Sequence, residues 1–147
     1  MVGADFAKPR SARGVGFADL DNDGDIDIVL NNLDGHASLL RNDRGNTNNW
    51  LSLQLQGTKS NRDAIGALLT AECKTRRLTA QVSVSDGYIG TSDKRVLLGL
   101  GADREVELLE IVWPSSKRQA LKSVRGNQTL VIKEEADGIE SSRNQDR

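Results

Sequence analysis

The sequence predicts an all-β protein, with a short stranded unit followed by an antiparallel β-sandwich or partly open barrel. Apolar residues keep a period of two through most of the 147 residues, which is the spacing of side chains on one face of a strand. No segment carries the repeat of about 3.6 residues that marks an amphipathic helix. Clusters of Gly, Asn, Asp and Ser interrupt the apolar runs at short intervals, as expected of turns between strands.

The first unit contains an acidic loop with a carboxylate at every odd position. These residues are Asp19, Asp21, Asp23, Asp25 and Asp27. Carboxylates this close repel one another, and Ca²⁺, which takes about six to eight oxygen ligands, removes that cost. Gly24 permits a sharp turn around the ion. We predict one Ca²⁺ held by the side chains of Asp19, Asp21, Asp23 and Asp27, with Asp25 binding through its carbonyl and pointing its side chain to solvent.

The spacing of the acids distinguishes this loop from an EF-hand. An EF-hand needs a bidentate acid at the twelfth position, which is Leu30 here, and a helix on each side. The flanking segments 15–18 and 26–30 are instead apolar and β-branched, as in strands, and a third strand is predicted near 37–41. A solvated acidic turn without an ion and a catalytic metal site are the alternatives. A catalytic metal needs an open coordination position and a neighbouring base, so a structural ion is favoured.

The second unit follows a polar break at residues 42–49. It opens with Trp50–Gln56, where leucines alternate with polar residues. Six or seven antiparallel strands are predicted, and those after the first lie near residues 67–74, 78–85, 95–100, 108–113, 119–122 and 130–133. The predicted core consists of Leu51, Leu53, Leu55, Val82, Val84, Leu98, Leu100, Ile111 and Trp113. The charged tail, residues 135–147, has little to bury and is predicted to be disordered.

Composition excludes several classes of function. The 20 basic and 21 acidic residues give no footprint for nucleic acid, and no apolar run is long enough for a membrane helix. Cys73 and His36 are the only residues of their types, and neither accompanies a nucleophile motif, so we expect no catalytic activity. The first ten residues lack the layout of a signal peptide. Since a calcium loop of this type needs the millimolar calcium found outside cells, we expect a C-terminal piece of a longer secreted protein.

The acidic loop and its flanks resemble a known repeat. The pattern Asp-x-Asp-x-Asp-Gly-x-x-Asp between two short strands, within Arg13–Asp43, is similar to the calcium loop of FG-GAP/VCBS repeats. The resemblance implies that residues 1–45 are such a repeat and form part of a β-propeller-type blade. The Gly-Ala-Pro segment of the integrin-type repeat is absent, and Asn31–Gly35 stands in its place, so the VCBS-type variant is nearer.

The second unit resembles the ASPIC/UnbV domain, found at the C-terminus of cartilage acidic proteins and of bacterial secreted proteins. The segments that carry the resemblance are NRDAIGA (61–67), DGYIGTS (86–92), LGLG (98–101) and VWPS (112–115). The resemblance implies that residues 49–134 form this domain. The family has Gly where Ser116 follows the Trp-Pro-Ser segment, which indicates a positive φ at that position.

Together the two resemblances imply a calcium-stabilised extracellular interaction or adhesion module without catalytic activity, located in the matrix, at the cell surface or in the periplasm. The partner would be a protein or a glycan, and we expect neither nucleic-acid binding nor membrane insertion. The candidate ligand-facing residues, of which the alternative interpretation is a tight connection between strands, are Asn61, Arg62, Asp63, Tyr88, Thr91 and Ser92. The alternative function is an accessory, glycan-binding domain of a secreted enzyme whose catalytic part lies upstream.

Two further expectations concern how the units behave. The first unit has about three strands, whereas a propeller blade normally has four, so its free edges should pack on the second unit or pair with another copy of the chain. Because the acidic loop joins two of those strands, calcium should stabilise the first unit far more than the second.

Overall fold

The computed structural model describes residues 8–43, 47–84 and 90–135, and all the secondary-structure elements in these ranges are β-strands. In chain order the strands are β1 (Ala12–Ala18), β2 (Asp27–Asn32), β3 (Ser38–Leu40), β4 (Asn49–Gln56), β5 (Leu68–Glu72), β6 (Arg77–Gln81), β7 (Val96–Gly101), β8 (Glu105–Val112), β9 (Arg118–Arg125) and β10 (Gln128–Lys133). Within these residues, no helix has the length and hydropathy to cross a membrane. The all-β prediction is confirmed.

The first three strands form an antiparallel sheet in the order β1-β2-β3, called the N-terminal sheet below. Ala18 pairs with Asp27, so the acidic loop is the connection of the β1–β2 hairpin. Because successive side chains alternate between faces, Phe17, Ile28 and Leu40 share one face while Val29 and Leu39 share the other. Both faces therefore carry apolar side chains.

The remaining strands form two sheets that enclose one apolar core. The three-stranded sheet has the order β10-β4-β7 and the four-stranded sheet has the order β6-β5-β8-β9. Leucines from β4 and β7 pack with Leu69, Leu109 and Ile111 of the other sheet, and Trp113 is fully buried at the end of β8. This arrangement is a β-sandwich, and neither sheet closes into a barrel. Of the predicted core residues only Val84 is not buried, and it lies three residues beyond the end of β6.

The prediction that all strands pair antiparallel is wrong for β10, which runs parallel to β4. The turn at Gly126–Asn127 carries the chain from β9 in one sheet to β10 in the other, where a hairpin would have kept it in the same sheet. Asn127 adopts φ 56° and accepts a hydrogen bond from Trp50 N on its Oδ1, at 3.1 Å. The side-chain amide thus fixes the first residues of β10 beside the first residues of β4.

A seam joins the N-terminal sheet to the sandwich, formed by β1 and by residues 90–95 before β7. Asp93 N donates to Phe17 O at 3.0 Å, and Phe17 N donates to the Ser92 hydroxyl at 3.2 Å. A Cβ on Gly90 would overlap the carbonyl oxygen of Val15, so only glycine permits this approach. The outer edge of β1 therefore packs against the second unit, which is one of the two arrangements expected for it.

Candidate metal site

Three of the predicted ligands converge in the β1–β2 connection. Carboxylate oxygens of Asp19, Asp21 and Asp23 all lie within 4.8 Å of one another. Asp19 is buried, Asp23 is half-buried and Asp21 is exposed, so the group opens to solvent on one side. The donor atoms are hard oxygens with no nitrogen or sulfur among them, and this set fits Ca²⁺ rather than zinc or copper.

Backbone hydrogen bonds to the acidic side chains shape the loop. Asp19 Oδ1 accepts from Asp23 N and Asp19 Oδ2 accepts from Gly24 N, both at 3.1 Å. Asp23 Oδ1 accepts from Asp25 N at 2.9 Å. Asn22 and Gly24 adopt positive φ angles of 61° and 94°, and these conformations tighten the turn of the loop. The side chains of Asp19 and Asp23 therefore fold the backbone of the loop around themselves.

Asp27 closes the base of the loop. Its side chain is fully buried, Oδ2 accepts from Leu20 N at 3.1 Å, and Oδ1 accepts from Asn42 N at 2.8 Å. Asp27 is not one of the three converging carboxylates. Its bond to Asn42 N holds the loop to the segment that follows β3. This carboxylate remains a predicted ligand, now with an additional role in fixing the backbone.

The prediction that the Asp25 side chain points to solvent is wrong, because the residue is 6% exposed. The alternation of buried and exposed side chains along β2 begins at Asp25, two residues before the strand itself. Asp25 and Asp27 consequently face the same buried side, while Ile26 between them is 40% exposed.

The electrostatics agree with the repulsion inferred from the sequence. Partial removal from water, followed by the charges of Asp23 and Asp27, raises the pKa of the Asp21 carboxyl. The Arg41 guanidinium, with Nη1 at 3.6 Å from Asp21 Oδ2, opposes that rise. A bound cation would relieve the same repulsion more completely.

Arg95 is a site residue that the sequence did not indicate. Its Nη2 donates to the carbonyl oxygen of Asp19 and its Nη1 donates to Asn22 Oδ1, both at 2.6 Å. Trp50 is a second such residue, since its indole lies where a Cβ on Gly24 would stand. Arg95 and Asp19 are 76 positions apart, so no local pattern connects them, and only the pairing of residues 90–95 with β1 brings them together.

The other predicted binding residues are mostly used inside the molecule. Asn61 exchanges two hydrogen bonds with the backbone of Ile65, at 2.8 and 2.9 Å, and so shapes the loop before β5. Asp63 pairs with Lys94 at 2.5 Å, and this contact lowers the pKa of the Asp63 carboxyl. Ser92 lies buried in the seam. These contacts match the alternative interpretation as a tight connection between strands.

The remaining members of that set are placed differently. Arg62 and Thr91 are exposed at the surface. Tyr88 lies outside the residues that the structure describes. Their assignment to a ligand-facing loop stays a prediction.

Glu134, which follows β10, is a buried carboxylate that sequence reasoning also missed. Its Oε2 accepts from the backbone N of Thr58, Lys59 and Ser60, each at 2.8 Å. Its Oε1 accepts from the Ser115 hydroxyl at 2.5 Å. Burial alone would raise the pKa of the Glu134 carboxyl, but these hydrogen bonds outweigh it and lower the pKa to about 2. In the sequence Glu134 stands beside a second glutamate, Glu135, and nothing local shows which of the two is buried.

Comparisons with known sequences identify proteins to which this chain is similar. A protein-family model described as ASPIC and UnbV matches residues 57–139. Cartilage acidic protein 1 of Xenopus tropicalis is 32% identical in an alignment of length 119 that covers 76% of this chain and 18% of that protein. Cartilage acidic protein 1 of Homo sapiens is 29% identical over 82% of this chain and 19% of its own length, and that of Mus musculus is 31% identical over 71% and 17%. The chain spans less than a fifth of these relatives.

Proposed function

The chain belongs to the ASPIC and UnbV family, and on that premise we propose that it is a calcium-stabilised extracellular interaction module without catalytic activity. The curated relatives are named for cartilage, an extracellular tissue, and this supports a location outside the cell. Calcium sites of extracellular modules have dissociation constants on the order of 0.1–1 mM. Such a site would be occupied at the millimolar calcium concentration found outside cells.

The observation that carries the calcium proposal is the convergence of three carboxylate oxygens within 4.8 Å of one another. Asp19, Asp21 and Asp23 would hold the ion, with Asp27 and the carbonyl of Asp25 completing the ligand set. Partial removal from water, and after it the charges of Asp23 and Asp27, raise the pKa of Asp21, and the ion would offset the repulsion from those two charges. When bound, Ca²⁺ supplies a fixed positive charge and a template for the loop, not a reaction.

The proposed partner is a protein or a glycan, reached through backbone and side chains that the fold leaves exposed. In the part of the chain that the structure describes, the N-terminal sheet has the order β1-β2-β3, so the outer edge of β3 is a sheet edge. Leu39 on that strand is 57% exposed and Leu33 in the preceding turn is 54% exposed. We infer that this edge, although β3 has only three residues, pairs with a strand of a second copy of the chain.

Calorimetric titration with Ca²⁺ tests the calcium proposal. Wild-type protein should bind one ion per chain. Asp21→Asn should weaken binding by about tenfold or more, because affinity in oxygen-ligand sites follows the number of charged ligands. Asp21 is exposed and forms its ion pair with the exposed side chain of Arg41, so this variant should fold. Asp34→Asn, an exposed acid in the β2–β3 turn, is the matched control and should bind normally. Absence of binding at millimolar Ca²⁺ would overturn the proposal.

A further inference from the structure

The side chain of Arg95 is fixed by the sandwich before it reaches the acidic loop. Arg95 directly precedes β7, whose Val96, Leu98 and Leu100 are buried in the core. Asp93 then aims the guanidinium, because its Oδ1 accepts from Arg95 N at 3.0 Å and its Oδ2 accepts from Arg95 Nε at 2.5 Å. The guanidinium therefore sits at a position that the sandwich determines.

From that position Arg95 binds the two ends of one turn of the loop. Its two terminal nitrogens donate to the Asp19 carbonyl and to the Asn22 side chain, both at 2.6 Å. In the sequence, Asp21, an exposed member of the converging group, lies between Asp19 and Asn22. The guanidinium thus spans the turn from which the candidate ligands project.

A second contact places the loop against the same sheet of the sandwich. The Trp50 indole of β4 lies directly against Gly24, leaving no room for a Cβ. Ser52, two residues along β4 on the same face, is 1% exposed. β4 and β7 are paired strands, so Arg95 and Trp50 fix the loop from one rigid support.

We propose that Arg95 couples the acidic loop to the sandwich, so that a cation bound in the loop also orders the seam and the adjoining parts of β7 and β4. This inference rests on the calcium site proposed above. Without a cation, repulsion among the carboxylates drives the turn apart and with it the two acceptors that Arg95 needs. With a cation, the turn keeps the conformation in which both acceptors reach the guanidinium.

Linkage makes this coupling reciprocal, because cation and guanidinium select the same conformation of the turn. The positive charge of the Arg95 guanidinium also repels the Ca²⁺ in the loop, which lowers the affinity of the site. The signature of the coupling is therefore protection of the seam on cation binding, rather than the size of the binding constant.

Hydrogen exchange measured by mass spectrometry on the full chain, with Ca²⁺ or with a chelator, tests the proposal. In the wild type, Ca²⁺ should slow exchange in β1 and β2 and also, by about tenfold, at amides 50–53 and 92–98. In Arg95→Gln the added protection of amides 92–98 should be largely lost, while amides 50–53 keep the part that the Trp50–Gly24 contact transmits. Arg118→Gln, the same change at an exposed position on the far edge strand β9, should behave as the wild type. Amides of β5 and β8 are the internal reference.

A second variant keeps the test decisive if Arg95→Gln does not fold. Asn22→Gly removes one acceptor of the guanidinium, and glycine adopts the left-handed φ of 61° without strain. It should reduce the protection of amides 92–98 while leaving Ca²⁺ binding measurable.

Three results would count against the coupling. If Ca²⁺ does not bind the wild type, both this inference and the calcium site fail. If Ca²⁺ binds but protects only β1 and β2 in the wild type, the site stands and the coupling is wrong. If Ca²⁺ protects amides 92–98 equally in the wild type, Arg95→Gln and Asn22→Gly, another contact joins the units and the role of Arg95 is overturned.

Discussion

At the scale of single residues, Ser116 occupies a backbone conformation that suits glycine. Its φ of 70° lies in the left-handed region, and the family resemblance had indicated a positive φ at this position. Ser116→Gly should raise the free energy of unfolding by about 0.5–1 kcal/mol, because glycine lacks the Cβ that strains this conformation. Chemical denaturation measures the change. The neighbouring Ser115→Gly should instead destabilise the protein, since Ser115 donates to Glu134; equal effects of the two would contradict this account.

Glu134 should make stability depend on pH. Its pKa is about 2 in the folded chain and near 4.5 when unperturbed, so the contribution is complete above about pH 4.5 and is lost as pH falls toward 2. At pH 7, Glu134→Gln should lower the free energy of unfolding by about 1.5–3 kcal/mol, because three amides and two hydroxyls lose a charged acceptor.

Denaturation curves of the wild type and Glu134→Gln across this range check the prediction. The difference between them should shrink as pH falls from about 4.5 to 2. Glu107→Gln, an exposed change on β8, is the control and should show no such dependence. A difference that stays constant with pH would mean that Glu134 contributes through its shape rather than its charge.

At the scale of elements, the contact between the acidic loop and β4 depends on Gly24. Gly24→Ala should lower the free energy of unfolding by about 2–4 kcal/mol, because it combines a left-handed φ with overlap of the Trp50 indole. Gly35→Ala is the matched control, since Gly35 has a similar φ of 103° with nothing within 4 Å of its Cβ position. It should cost about 1 kcal/mol. Equal costs for the two would show that the indole does not press on the loop.

The strands were predictable from the sequence because alternation is a local signal. Trp50–Gln56 alternates leucines with polar residues, and β4 occupies Asn49–Gln56. The convergence of Asp19, Asp21 and Asp23 was predictable for the same reason, since three close acids and Gly24 lie in one loop.

Contacts between distant segments carry no such signal. Arg95 reaches the loop only because residues 90–95 lie along β1, and Glu134 reaches residues 58–60 only because β10 runs beside β4. The parallel direction of β10 follows from the chain changing sheets at Gly126–Asn127, a choice that turn composition alone does not determine.

At the scale of the whole molecule, the edge of β3 predicts self-association. Sedimentation velocity should show a concentration-dependent dimer, because an exposed apolar strand edge pairs with a second copy. Leu39→Lys should return the protein to a monomer, since a charge on an edge strand disfavours pairing. Leu68→Lys changes a leucine of similar exposure on the four-stranded sheet and should leave the dimer intact. A strict monomer at every concentration would contradict the prediction.

The central claim, that the acidic loop is a calcium site, is tested most directly by a crystal structure of the protein grown with millimolar calcium. One Ca²⁺ should lie in the β1–β2 connection, bound by oxygens of Asp19, Asp21, Asp23 and Asp27 and by the carbonyl of Asp25. The metal–oxygen distances should be about 2.3–2.6 Å. An empty loop under these conditions, with the carboxylates of Asp19, Asp21 and Asp23 turned apart, would contradict the claim.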